Sequence, residues 1–355
     1  MCIESYIKEK MLVRNSRYIL AYSRGYLILR NAKNRLFIKK CRIHERYKSI
    51  WGIERVLRYV PRMAVDVSED IFLISDHGFF YMYYVNDNII RKVYKFSNGM
   101  NNPLNVCIKR NDLGEVSAII FGEYTWNPEK KSVSIYKYDL VTCEKVYTFP
   151  AGTITHIHNI ILDEVRKRYI ILTGDEDKES AIWEANFDFT SVRMIVGGQQ
   201  KFRACIAYPT SHGIYYATDT PLEKNWLYFL DDDKKVHEIY EMPGPVIYGI
   251  VKNNCLYMAT TVEGNPKLGK WKYRFSNKLG EGVKDHFVHI IKCDVEGKAE
   301  EVARFAKDCL PMWLFQFGNA QFPITNDDKV YVSTQSTKKK GTFILATTGK
   351  KVKYE

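Results

Sequence analysis

The chain has eight cysteines, yet no two of them are spaced C-x-x-C, and they are scattered from Cys2 to Cys309. That excludes the common zinc-ribbon and thiol-redox spacings and offers no compact disulfide framework. Several cysteines fall inside predicted strands, where a free thiol behaves as a small hydrophobe. A reduced, cytoplasmic protein is the expectation. No apolar run approaches the roughly 18 residues of a membrane span, so no membrane partner is expected. The opening residues MCIESYIKEKMLVRNSRY lack the apolar stretch and small-residue cleavage site of a secretory signal. No Ser/Gly-rich, Pro-rich or low-complexity segment offers a linker. We therefore read 15–355 as one domain behind an N-terminal extension, 1–14, either a short helix or disordered. Zinc-finger spacing, RNP-type aromatic motifs and a basic helix are also missing. This argues against nucleic acid as the partner, although the net charge is +12. A basic surface of this kind attracts other polyanions, an acidic glycan or oligosaccharide among them.

What the chain does have is aromatic, β-branched alternation. It carries 25 tyrosines, which suit half-buried pleated surfaces. Seven times a strand-like run ends in a small or acidic residue, crosses a short polar stretch and enters a second run. The copies are YILAYS/GYLILR (18–30), DIFLISD/GFFYMYY (70–84), AIIFGEY/SVSIYKYD (118–139), YIILTGD/AIWEANFD (169–188), GIYYATD/WLYFLD (213–231), CLYMATTVE/HFVHIIKCD (255–294) and KVYVSTQ/TFILATT (329–348). Their spacing of roughly 45 to 75 residues points to a propeller or solenoid. An inner strand precedes most pairs, as in MAVDV (63–67), LNVCIK (104–109), HIHNIIL (156–162), FRACIAY (202–208), PVIYGIV (245–251) and QFGNAQF (316–322). An amphipathic fourth strand follows most of them. The fold predicted is all-β, a single β-propeller of seven blades, or six if 17–43 only supplements the last one. The two chain ends complete the ring together, which removes a free sheet edge. The insertion 264–284 (GNPKLGKWKYRFSNKLGEGVK) is expected to overhang a face as a basic, aromatic loop, and Lys338, Lys339, Lys340, Lys350, Lys351 and Lys353 to form an exposed rim.

In a propeller, the loops entering inner strands and those leaving second strands share one face. Phase then selects His156, His158, Gln199, Arg203, Tyr248, Gln316 and Gln321 from the first set. It selects Asp76, His77, Glu123, Tyr124, Asp175, Asp177, Asp219 and Glu263 from the second. So many polar groups converging on one funnel are costly to bury unless paired or used, and such a mixture is a default site. Alternation puts His156 and His158 on one strand face, about 7 Å apart. They are candidates for a divalent metal site or a base, with Asp175, Glu123 or Gln199 as third ligand; structural histidines are the equal alternative. Glu123, beside Gly122, and Asp175 are candidate catalytic carboxylates for glycoside cleavage, or else turn caps and ion-pair partners. Arg203 suits bidentate recognition of a sugar carboxylate, or a bridge to Asp175 or Asp219. Tyr124, Gln199, Asp219, Tyr248 and Glu263 are expected to line the pocket and bind substrate. Trp126 and Trp313 are candidates to stack on sugar rings, whereas Trp183 and Trp226 fall in third strands and are expected in the core.

Together FGEYTWNP (121–128), TFPAGTITHIHNIILD (148–163), TGDEDKESAIW (173–183), GGQQKFRA (197–204), ATDTPLEKNWLY (217–228) and GPVIYG (244–249) resemble the sialidase-like, BNR-repeat β-propeller proteins of microbes. The likeness covers about 104–265. It implies a propeller with a carbohydrate-related role, many such proteins being glycosyl hydrolases. The chain departs from that family at its Asp box, S-x-D-x-G-x-T-W. The matching turns, YDLVTCEKVY (138–147) and FDFTSVRMI (187–195), have neither the tryptophan nor the glycine, and only Arg203 is placed to match the arginine cluster of sialidases. Histidines with a glutamine in the funnel are also similar in type to the metal-dependent oligogalacturonate lyases. The expectation is a glycoside hydrolase-like enzyme acting on an acidic or complex glycan. The alternatives are a non-catalytic glycan- or protein-binding scaffold and a metal-dependent polysaccharide lyase.

Overall fold

The structure, a computed structural model, describes residues 3–97 and 99–345. The terminal lysines 350, 351 and 353, the last residues of the TFILATT run, and Cys2 lie outside the described residues. Those described form seven sheets, six of four strands and one of five, arranged as a seven-bladed β-propeller. Each blade runs antiparallel through four strands from inner to outer, and the five-stranded one adds Ile324–Thr325 parallel at its inner edge.

The sequence pattern follows from where each strand sits. Second strands such as Arg168–Gly174 (RYIILTG) and Gly213–Thr218 (GIYYAT) lie between two neighbouring blades and are buried almost throughout. Burial on both faces gives a continuous apolar run rather than strict alternation. Fourth strands such as Val192–Gly197 and Val236–Met242 have exposed positions facing solvent, hence their amphipathic pattern. The core is a set of layers between blades. Ile170, Leu172 and Ile182 of the fourth blade pack with Ala204, Ile214 and Tyr216 of the fifth. Each such side chain contributes roughly 1.5–3 kcal/mol by leaving water.

The ring closes through both ends of the chain. Ile3–Ile7 pairs antiparallel with Gly341–Leu345, so the chain's first strand is the outermost strand of the last blade. Lys10–Arg14 is then the inner strand of the first blade, beside Tyr18–Ser23. The Thr342 hydroxyl accepts from the Met11 N–H at 2.9 Å, tying the two blades together. Ile3–Ile7 and Lys10–Arg14 are therefore strands, joined by a bend, rather than the helix or disorder expected of a 1–14 extension. The segment is hard to read because only five residues form each strand and both carry bulges.

Three short helices lie in loops of one face. Trp51–Val56 links the first and second blades, Lys270–Phe275 lies within the 264–284 insertion, and Met312–Phe315 precedes the last blade. Trp51 stacks on Phe315 at 6.2 Å. The buried Arg55 guanidinium bonds Asp308 at 2.7 Å, Ser336 at 2.9 Å and the Phe315 carbonyl. These elements cover one half of the face and leave the side of the fourth and fifth blades open. Seven inner strands surround a central channel of about 600 Å³.

Candidate functional site

The centre of the open half is His156, His158 and Asp175. His156 opens the inner strand His156–Asp163, and Asp175 follows the second strand Arg168–Gly174. His158 is an extra residue: Ile157 pairs with Thr173 and Asn159 with Leu172, leaving His158 as a bulge. Bulges re-aim side chains beside sites, and here the two rings meet. His156 Nε2 lies 3.0 Å from His158 Nε2. Asp175 approaches the same point, at 3.3 Å from His156 Nε2 and 3.5 Å from His158 Nε2. Gly174 makes room for this. A Cβ there would meet His158 Cε1 at 2.9 Å and Arg203 Cγ at 3.0 Å.

The tautomers follow from the partners. His156 Nδ1 faces the Thr125 carbonyl at 3.3 Å, and His158 Nδ1 faces the Ala204 carbonyl at 2.9 Å. Carbonyls only accept, so each Nδ1 carries the hydrogen. Once protonated, an Nε2–H donates to Asp175; without that proton, bare Nε2 lone pairs face each other and a carboxylate. That arrangement repels itself unless a proton or a cation sits between. Two imidazole nitrogens oriented by backbone carbonyls plus a carboxylate oxygen are a fitting donor set for a divalent transition metal, and all three ligand atoms lie within 4.8 Å of one another.

The surrounding charges are coupled. Burial pushes the Asp175 carboxyl up, but hydrogen bonds from His156 and His158 and the Arg203 charge outweigh it and hold the group well below the usual carboxylate range. Arg203 bonds the Asp175 carboxylate at 3.0 Å and its carbonyl at 3.1 Å, with Asp219 at 3.8 Å. Asp219 accepts from the Cys205 thiol at 3.4 Å, a thiol that burial raises well above its ordinary value. Glu263 is pushed up to about 7 by burial and by Asp219; the Thr261 hydroxyl donates to it at 2.6 Å. The Tyr124 ring lies 4.5 Å from that of His156, and burial holds its hydroxyl strongly protonated. A groove of about 670 Å³ leads outward past Asp175, Gln200 and Arg203.

Other expected residues lie elsewhere. Glu123 is not brought to the histidines: its carboxylate accepts from the Ser134 N–H at 2.7 Å and the Tyr136 hydroxyl at 3.0 Å, on its own blade. Gly122 serves packing against the next blade, since a Cβ there would lie 2.4 Å from that of Ile157. Gln199 is exposed, and its neighbour Gln200 instead donates to the Asp175 carbonyl at 2.9 Å. Asp177 lines the outer groove. Tyr248 and Gln321 line the central channel, whereas Gln316 is buried and donates to the Arg55 carbonyl at 2.7 Å. Arg203 takes the ion-pair alternative. Trp126 is 87% exposed, and Trp183 donates to Thr173.

Asp76 and His77 belong to a second cluster that phase only half revealed. Asp76 bonds His44 Nε2 at 2.5 Å and His77 Nδ1 at 3.0 Å. His44 comes from the connection after the first blade, where no repeat signal marks it. As in the first cluster, each carboxylate oxygen meets one imidazole, here at hydrogen-bond distance, and the three groups keep their possible ligand atoms within 4.8 Å of one another. Lys10 and Arg62 of the funnel also escaped the reading. Lys10 lies in the segment taken for an extension, and Arg62 precedes the first residue expected to be strand.

No protein-family model matches the chain, and no curated protein sequence is significantly similar to it. Solved structures match in shape along nearly the whole length. The WD40 propeller domain of Doa1 has 7% identity and a TM-score of 0.56, covering 98% of this chain and 96% of that one. A chain of the mitotic checkpoint complex has 6% identity and a TM-score of 0.53, covering 97% and 95%. An oligogalacturonate lyase from Vibrio parahaemolyticus has 12% identity and a TM-score of 0.53, covering 96% and 90%. Identities this low establish the class, a seven-bladed β-propeller, and nothing finer.

Proposed function

We propose that this chain is a carbohydrate-active propeller enzyme that takes an acidic sugar in its funnel and uses a divalent metal at His156, His158 and Asp175. The observation that carries the reading is the pair of Nε2 atoms, 3.0 Å apart, with both Nδ1 atoms committed to carbonyls. A divalent cation bound there supplies Lewis-acid polarisation of a substrate oxygen. Arg203 and Gln200 hold Asp175 in place. Glu263, raised to about 7, is the group suited to exchange a proton near neutral pH. Tyr124 is a buried hydroxyl donor beside His156. This favours a lyase-type reaction, in which a proton is removed next to a sugar carboxylate, over a hydrolase built on Glu123 and Asp175. The hydrolase would need Glu123 freed from Ser134 and Tyr136.

Elemental analysis of the purified protein and of the His156→Ala/His158→Ala variant tests the reading. About one transition-metal ion per chain, lost in the variant, is expected. Incubation with oligogalacturonate and with neutral oligosaccharides should then give an unsaturated, ultraviolet-absorbing product from the acidic substrate alone, abolished by chelator. Absence of metal from both proteins would sink it.

A second reading, a glycan- or protein-binding scaffold, is favoured by one observation. Trp271 is 71% exposed on the 264–284 helix, and Arg274 lies over both Trp271 and Trp313. It predicts that Trp271→Ala removes ligand binding while funnel variants retain it.

A further inference from the structure

Lys10 and Arg62 stand out as cations without an anion. Lys10 begins the inner strand of the first blade, and Arg62 immediately precedes that of the second, Met63–Ser68. Both line the central channel together with Asn105, Asn159, Tyr248 and Gln321. The Lys10 ammonium donates to the Pro61 carbonyl at 2.9 Å. Arg62 lies over the Tyr248 ring at 5.3 Å, and its Nε is buried with no hydrogen-bond partner. Among the described residues neither forms an ion pair. Asp76, the carboxylate that favours the charged form of Lys10, has its oxygens on His44 and His77.

Two adjacent half-buried cations are an expensive arrangement. Burial and Arg62 pull Lys10 down to about 7, the behaviour of a lysine short of a counter-charge. An oxyanion between them would relieve the repulsion and occupy the orphaned guanidinium. The position also faces the first cluster. Arg62 and Asp175 both lie near enough to the Tyr124 hydroxyl to act on its charge, and the Tyr124 ring packs 4.5 Å from that of His156, so the cation pair is within reach of the histidine cluster. Arg203, the residue the sequence offers as anchor, is already held by Asp175.

We propose that Lys10 and Arg62 form an anion subsite at the mouth of the central channel, which takes the oxyanion of a small ligand while the remainder of that ligand reaches Tyr124 and the His156–His158–Asp175 cluster. The proposal rests on the funnel being the reaction site and adds the group that orients the substrate there. A uronate carboxylate and a sugar phosphate share the required chemistry.

Calorimetric titration with galacturonate, galactose 1-phosphate and galactose separates these sources. The proteins compared are wild type, Lys10→Met, Arg62→Met, and the charge-keeping Lys10→Arg and Arg62→Lys. Wild type should bind one of the anionic ligands at least about tenfold more tightly than galactose, as expected for charge-assisted hydrogen bonds. Each Met variant should lose that margin and each charge-keeping variant should retain most of it. The binding margin should also shrink as pH rises from 6 to 8, because Lys10 loses its proton in that window. Equal binding of the anions by wild type and Met variants would overturn the subsite, as would a wild type that prefers neither anion over galactose. Metal content measured on the same samples separates the two readings. Normal metal without anion preference removes only the subsite, and anion preference without metal removes only the metal centre.

Discussion

Single residues set the electrostatics of the funnel, and Glu263 gives the sharpest pH signature. Its ordinary value is 4.5, and in the fold burial and Asp219 raise it to about 7. Between those values the folded chain keeps a proton that the unfolded chain has released. The stability contribution is therefore full below about 4.5 and is lost as pH rises through about 7. Glu263→Gln should remove that loss. Relative to wild type it should gain on the order of 3 kcal/mol at pH 8 over its value at pH 4.5, read as the shift between denaturation midpoints at the two pH values. A pH-independent difference would mean that the carboxyl titrates normally. Gly174 is the second residue whose role is spatial and testable. A methyl group there would push on His158 and Arg203 together, so Gly174→Ala should cost roughly 1–3 kcal/mol and weaken metal binding, though less than loss of the His156 imidazole does. The sequence shows a glycine beside Asp175, but not what it approaches. That depends on the neighbouring blade's Arg203, about which local pattern is silent.

At the scale of elements, strands with both faces buried were legible, and so were the outer strands with one wet face. Repetition of that pair of patterns identified the blades and put the histidines, Asp175, Arg203, Asp219 and Glu263 on one face. Two kinds of element were not legible. The first is the short bulged strand, as at Lys10–Arg14, where alternation breaks after two residues. The second is the loop that turns a side chain back onto its own blade, as with Glu123. Glu179 shows how such a loop can still serve the site. It closes the single turn Asp177–Glu179, and its buried carboxylate accepts from the Thr155 N–H and, at 3.0 Å, from the Thr155 hydroxyl. Thr155 is the residue before His156, so this carboxylate fixes the entry of the histidine strand. Glu179→Ala leaves a buried N–H without a partner and should cost roughly 1–3 kcal/mol. If Glu179 positions His156, metal affinity should fall in the same variant while Glu179→Gln, which still accepts, preserves most of it. A stability loss with unchanged metal affinity would make its role structural alone.

For the whole molecule, closure of the ring couples the two halves of the proposed site. The histidine cluster stands on the fourth blade, far along the chain from its ends. The Lys10–Arg62 pair stands where the ends meet, with Lys10 only three residues beyond the closing strand Ile3–Ile7. That strand covers the edge of Gly341–Leu345 and buries Tyr6 and Ile7. Without it an unpaired edge would face solvent, a recognised liability of β-sheets. Deleting residues 1–8 should therefore remove on the order of 2–4 kcal/mol of apolar burial and lower the thermal midpoint by roughly 3–5 °C. The effect on binding should be unequal. Metal held by His156, His158 and Asp175 should persist at its full stoichiometry in the folded truncated chain, because two intervening blades separate it from the lesion. Oxyanion preference should fall, because Lys10 then begins a strand with no preceding segment to hold its register against Tyr22. An unchanged midpoint would deny that these residues close the ring. A parallel loss of metal and oxyanion would mean that the propeller responds as one rigid unit rather than blade by blade.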